Sequence, residues 1–133
     1  MPGLDTNVLV RWLAADDEAQ TRHVRTVFET AARQQASLWI PTTVALELEW
    51  VLRSRYRLAK ASVLEAFTAL LETQEVAFEA EEALERALHA YRLGSADFAD
   101  CLHAGLCAAA GYAPLLTFDE KAARLVGVEP IAA

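Results

Sequence analysis

Four carboxylates fall where a sheet protein could gather them. Asp5 follows an opening apolar stretch at Leu4. Glu47 lies in the first turns of a helix after Ser37-Leu38-Trp39-Ile40. Asp100 sits in the N-terminal turns of a later helix, and Asp119 follows Leu115-Leu116-Thr117. Asp5 is set in Leu4…Val8-Leu9-Val10, Glu47 between Leu46 and Leu48, and Asp100 ahead of Leu102, Ala104 and Leu106. Lone carboxylates rarely occupy apolar settings unless paired or bound to metal. A helix-capping role therefore fits Asp5 and Glu47 badly, whereas it suits Asp16 and Asp17. Two unit charges about 4 Å apart repel by about 4 kcal/mol at an effective dielectric of about 20. Carboxylates brought together need protons or a cation, and an all-oxygen site selects a hard ion, Mg²⁺ or Mn²⁺. Such an ion can make water a nucleophile and stabilise a phosphoryl transition state.

Short polar residues flank these acids. Thr6, Asn7 and Thr117 either orient ligands and water or serve only as strand-end turn residues. Asp97 stands three residues before Asp100, so both can face one side of a helix, as a pair or with Asp97 as the cap. Arg53, Arg55, Arg57 and Lys60 form a basic run with two readings, a solvated helix end or a phosphate contact. Cys101 and Cys107 lie six apart on one expected helix, about 9 Å by helical rise and beyond disulfide reach. They read as small core residues, and Cys101 and His103 point to different faces, which excludes a zinc pair there.

Helices and short strands must position these groups. The pattern predicts a strand at Leu4, helices over 8–14 and from Asp16 or Asp17 to Gln34, and a strand over 37–40 stopped by Pro41. Thr42 or Thr43 is the expected cap of a third helix. Further helices are expected over 59–71 and 79–93, the second ended by Gly94, and from a Ser95 cap to Ala110, closed by Gly111. A weak strand is expected at 75–78 and strands at 114–117 and 126–131, with a short helix from Asp119 to Leu125. Apolar strands alternating with helices imply a parallel sheet covered on both faces, with ligands outside the carboxyl ends of the strands.

The chain has 133 residues, 54% of them hydrophobic, which suits one domain over 1–133 with a real core. Gly111 and Pro114 interrupt the uncharged stretch 101–118, so it reads as a buried helix and strand rather than a membrane span. Two cysteines and a start without a basic leader point to a cytoplasmic protein. The net charge is −7, which disfavours nonspecific wrapping of nucleic acid. Six of the negatives, Glu72, Glu75, Glu79, Glu81, Glu82 and Glu85, crowd into fourteen residues without a cation, so the total describes one acidic flank.

The acidic positions also sit in four motifs. Asp5-Thr6-Asn7-Val8-Leu9-Val10-Arg11 resembles the opening motif of PIN-domain ribonucleases. Pro41 to Leu52, with Glu47 at the acidic position, is similar to their second motif. Asp97-Phe98-Ala99-Asp100-Cys101-Leu102-His103-Ala104 is similar to the third and Leu115-Leu116-Thr117-Phe118-Asp119 to the fourth. Order and spacing agree over nearly the whole chain, most of all with VapC-type toxins of toxin–antitoxin pairs. The resemblance implies a three-layer α/β/α sandwich with a mostly parallel central sheet and Mg²⁺-dependent cleavage of RNA phosphodiesters. It also implies a homodimer and a small inhibitory antitoxin. It aligns Asp5, Glu47, Asp100 and Asp119 with the metal ligands, and Asp97 as an addition. On that reading RNA affinity comes from Arg11, Arg53, Arg55 and Arg57, with Arg22 and Arg25 in reserve. Trp39, Trp50, Tyr56 and Phe67 are expected to leave apolar surface for the dimer and the antitoxin.

Three other classes fit less well. A phosphoacceptor receiver domain also holds Mg²⁺ in an acidic pocket, but needs an acidic pair after the first strand and a late lysine. Asp5 stands alone, and Thr117-Phe118-Asp119 fills the late position. A haloacid-type phosphatase needs an aspartate where this chain has Asn7. A PIN-like module that only binds protein has no physical need for four filled acidic positions.

Overall fold

The αL residue Gln35 ends an N-terminal pair of helices, and Pro41 separates the strand that follows from the next helix. In the computed structural model, which describes residues 2–131, helix α1 (Thr6–Ala14) starts directly after Asp5, whose Oδ1 accepts the Val8 N–H at 3.1 Å. Helix α2 (Glu18–Gln34) starts after Asp17, whose carboxylate accepts the Gln20 N–H at 3.0 Å. The two helices pack through stacked Trp12 and Phe28 rings, 3.9 Å between centroids and 1° from parallel. Strand β1 (Leu38–Ile40) is followed by α3 (Thr42–Ser54), α4 (Lys60–Leu71) and β2 (Val76–Phe78). β1 and β2 pair in parallel, Leu38 opposite Val76 and Ile40 opposite Phe78. The expected first strand is a single parallel bridge between Gly3 and Trp39, held by Leu4 N–H to Trp39 O at 2.8 Å.

These elements form one compact unit that runs to Glu79, and the residues from Ala80 form a second. In the second, α5 (Glu81–Leu93) packs on α6 (Phe98–Ala110), and β3 (Leu115–Thr117) pairs in parallel with β4 (Val128–Pro130). A 3₁₀ turn, Ala122–Arg124, joins the strands. Helices α5 and α6 meet at Gly105, where an added Cβ would lie 2.5 Å from Ala83 O. Tyr91 and Phe98 add an edge-to-face ring pair at 5.4 Å. The α/β class with parallel pairing is as expected. Among the described residues no helix is long and apolar enough to cross a membrane. Both cysteines are free thiols, Cys101 buried and Cys107 half-buried.

Local chemistry departs from expectation at the caps. Neither Thr42 nor Thr43 caps α3. Pro41 stands at the cap, and the Glu79 carboxylate, just past β2, accepts the Thr42 N–H at 2.9 Å. Helix α6 begins after Asp97 rather than Ser95, with no side-chain cap. Gly94 has φ −121°, extended backbone that any residue adopts, so of the two glycines expected to end helices it is Gly111, at φ +82°, that does so in the left-handed region. Phe67 is fully buried in the first unit and offers no surface.

Candidate functional site

Helix α3 separates its faces at every turn. Ala45, Leu48, Glu49 and Leu52 are buried, while Thr43, Glu47, Trp50 and Arg53 are exposed. Glu47 therefore faces solvent, against the expectation of an apolar setting. Its chain neighbours Leu46 and Leu48 point elsewhere because helical faces repeat every 3.6 residues. Asp5 is exposed as well, and it does cap α1. The carboxylate that the core encloses is Glu49, 3% exposed. Sequence reasoning passed over it, although its spacing from Ala45 and Leu52 puts it on the apolar stripe.

The first unit joins two of the candidate segments. The Thr6 hydroxyl, buried beside Asp5, donates to Glu47 Oε1 across 41 residues of chain. One oxygen of each acid is thus engaged, Asp5 Oδ1 by Val8 and Glu47 Oε1 by Thr6. Asn7 is exposed in the first turn of α1.

In the second unit Asp97 precedes α6 and is exposed, and Asp100 is half-buried in the first turn. Asp119 follows β3. Its N–H donates to Thr117 Oγ1 at 3.0 Å, and its Oδ1 accepts the Ala122 N–H at 2.9 Å, which starts the 3₁₀ turn. A cavity of about 470 Å³ in this unit, walled by α5 and α6 with Arg86, His89 and Arg124, contains none of the candidate acids.

The expected RNA-contacting arginines differ in their engagements. Arg11 bonds Asp16 and Gln20, each at 2.6 Å, and Tyr56 at 3.3 Å. The Tyr56 hydroxyl in turn donates to Asp16 at 2.9 Å, and this bond, with Arg11 adding to it, holds the Asp16 carboxyl below its ordinary range. Tyr56 is thus tied into a polar network rather than left as apolar surface. Arg53 Nε donates to Glu49 Oε2 at 2.8 Å. The Arg55 guanidinium lies 5.6 Å from the Trp50 ring centroid. Arg57 is exposed in a left-handed conformation, φ +54°.

A family model described as PIN domain matches residues 4–128, a span that runs through both units and all four acidic positions. The chain belongs to the PIN-domain family, and with it to the family's α/β fold. Over 122 residues it is also 23% identical to the VapC ribonuclease of Aquifex aeolicus (strain VF5), covering 92% of this chain and 90% of that relative.

Asp5 and Glu47 in the first unit, and Asp100 and Asp119 in the second, each offer oxygen donors of the kind a hard divalent ion takes, and among the described residues none of them makes an ion pair that would neutralise it. Among the described residues no group of three or more His, Cys, Asp or Glu side chains forms a metal-holding cluster.

Proposed function

We propose that the protein is a Mg²⁺-dependent endoribonuclease, the toxin of a VapBC-type toxin–antitoxin pair, with Mn²⁺ as a substitute ion. The observation that carries this reading is the family match over 4–128, a span that contains four carboxylates without an ion pair among the described residues. The similarity to a VapC ribonuclease supports RNA as the substrate and a small antitoxin as the inhibitor. The unbroken match across residues of both units supports one nuclease domain over 1–133. The reading puts the enzyme in the cytoplasm, where its RNA is. It makes the enzyme a homodimer, which the exposure of Leu93, Tyr112, Phe118 and Val126 supports.

Asp5, Glu47, Asp100 and Asp119 would hold the ion. When bound, Mg²⁺ supplies a Lewis acid that lowers the pKa of water and offsets charge developing on the phosphoryl oxygens. The protein's own part is orientation. Thr6 fixes one oxygen of Glu47 and leaves the other to ligate. Val8 does the same for Asp5, and Ala122 for Asp119. Thr117 holds the Asp119 backbone, while Asn7 and Asp97 order water or substrate at the rim. In-line attack would leave a 5′-phosphate and a 3′-hydroxyl.

Cleavage of a single-stranded RNA in Mg²⁺ is the test. EDTA, Glu47→Gln and Asp119→Asn should each slow single-turnover cleavage at least about 100-fold. Cleavage indifferent to EDTA and to both substitutions would overturn the reading.

A further inference from the structure

The exposed stripe of α3 runs from a candidate ligand to a large aromatic and then into the basic run. Glu47, Trp50 and Arg53 succeed one another three residues apart, about 4.5 Å of helical rise per step. Trp50 is 48% exposed, an unusual place for an indole that the core could have taken. Arg55 lies over its ring. Arg53, Arg55 and Arg57 are all exposed within five residues of a chain whose net charge is −7. Trp12, by contrast, is stacked on Phe28 and accounted for by packing.

Resting on the ribonuclease reading, we infer that this face is a track for single-stranded RNA, with Trp50 as the platform on which one base stacks. The occupant follows from the chemistry of the stripe. An aromatic face set among guanidinium groups matches a polyanion with exposed bases, since stacking takes the base and the cations take the phosphates. A duplex offers phosphates but hides its base faces. An apolar protein partner would match the indole yet offer no counter-charge to Arg55 and Arg57, which, unlike Arg53, make no ion pair among the described residues. Because Trp50 is one turn from Glu47, the stacked base belongs to a nucleotide near the bond that is cut. Trp50 would then influence where along a strand cleavage falls, while taking no part in the chemical step.

Binding measured in EDTA, where the strand stays intact, separates this inference from the catalytic one. The probes are a single-stranded RNA of mixed sequence, its duplex, and an abasic strand of the same length. Trp50→Ala should weaken binding of the intact single strand roughly 5- to 150-fold. Its slope of affinity against salt should not change, because no phosphate contact is lost. Trp50→Phe should restore most of the affinity, and the abasic strand and duplex should not respond to either substitution. Arg57→Gln should instead lower the salt slope by about 0.7. In Mg²⁺, Trp50→Ala should raise KM and shift the cleavage pattern with kcat nearly kept. Trp50→Ala binding within twofold of wild type, or wild type binding the abasic strand as tightly as the intact one, overturns the platform. Loss of a dimer by Trp50→Ala with RNA affinity unchanged also overturns it and assigns the face to a second copy of the chain. If the wild type binds RNA through Trp50 but never cleaves it, the platform stands and the nuclease reading falls.

Discussion

Glu49 Oε2 accepts a hydrogen bond of 2.8 Å from Arg53 Nε, one turn further along α3, with the acid buried and the guanidinium half-exposed. A buried polar group left without a hydrogen-bonding partner is costly, so the bond supports the fold. The three arginines of the basic run are therefore unequal. Arg53→Gln should destabilise the fold by about 1–2 kcal/mol, less than for a fully buried pair because Arg53 is half in water. Arg57→Gln should stay within about 0.5 kcal/mol of wild type. Urea midpoints decide it, and equal midpoints for the two variants would contradict a stabilising role for Arg53.

The Tyr56 hydroxyl ties α1 and the end of α3 together through Asp16 and Arg11. It lowers the Asp16 pKa below the ordinary value of 3.8, with Arg11 contributing. A depressed carboxylate contributes stability that is complete above pH 3.8 and is lost as pH falls through the lower folded value. Tyr56→Phe removes the leading cause. The stability difference between wild type and Tyr56→Phe should be constant at neutral pH and shrink in acid below pH 3.8. Chemical denaturation across that range would show it. A difference independent of pH would locate the role of Tyr56 in packing instead.

Gly105 lets α5 and α6 approach, since a Cβ there would stand 2.5 Å from the Ala83 carbonyl oxygen. Alanine is the better helix former by about 1 kcal/mol. The clash is with backbone, which cannot swing aside as a side chain would. Gly105→Ala should therefore be net destabilising, by about 1–3 kcal/mol after the propensity gain. A thermal midpoint at or above that of wild type would mean that the helices part without cost.

How much of this was legible depends on the range of the interaction that decides it. Amphipathic stripes such as Val63, Phe67 and Leu70 mark their helices, because the spacing of apolar residues is a local signal. The start of α3 was not legible, since its Thr42 amide is satisfied by Glu79, 37 residues away. Leu4 reads as a strand, but the structure has there a single bridge, Gly3 to Trp39, with the Leu4 N–H donating to Trp39 O. At the candidate site the residue types were legible from the motifs, while their exposure was not. Reading Glu47 by its chain neighbours hid the helical face it occupies, and hid Glu49 on the opposite one. The bond from Thr6 to Glu47 joins residues 41 apart, and no spacing rule announces it.

Asp5 carries two duties that substitution can separate. Its Oδ1 caps α1 through the Val8 N–H, and the proposed ion would use its remaining oxygen and its charge. Asparagine caps a helix about as well as aspartate, whereas alanine loses about 0.5–2 kcal/mol there. Asp5→Asn should therefore unfold at nearly the wild-type denaturant concentration, and Asp5→Ala earlier. Relief of repulsion among uncompensated carboxylates would, if anything, help Asp5→Asn in the absence of metal. Both variants should lose Mg²⁺-dependent cleavage alike, and Mn²⁺ binding followed by calorimetry should weaken in both. Cleavage that survives in Asp5→Asn but fails in Asp5→Ala would show that the residue serves only the helix, and would remove it from the proposed metal ligands.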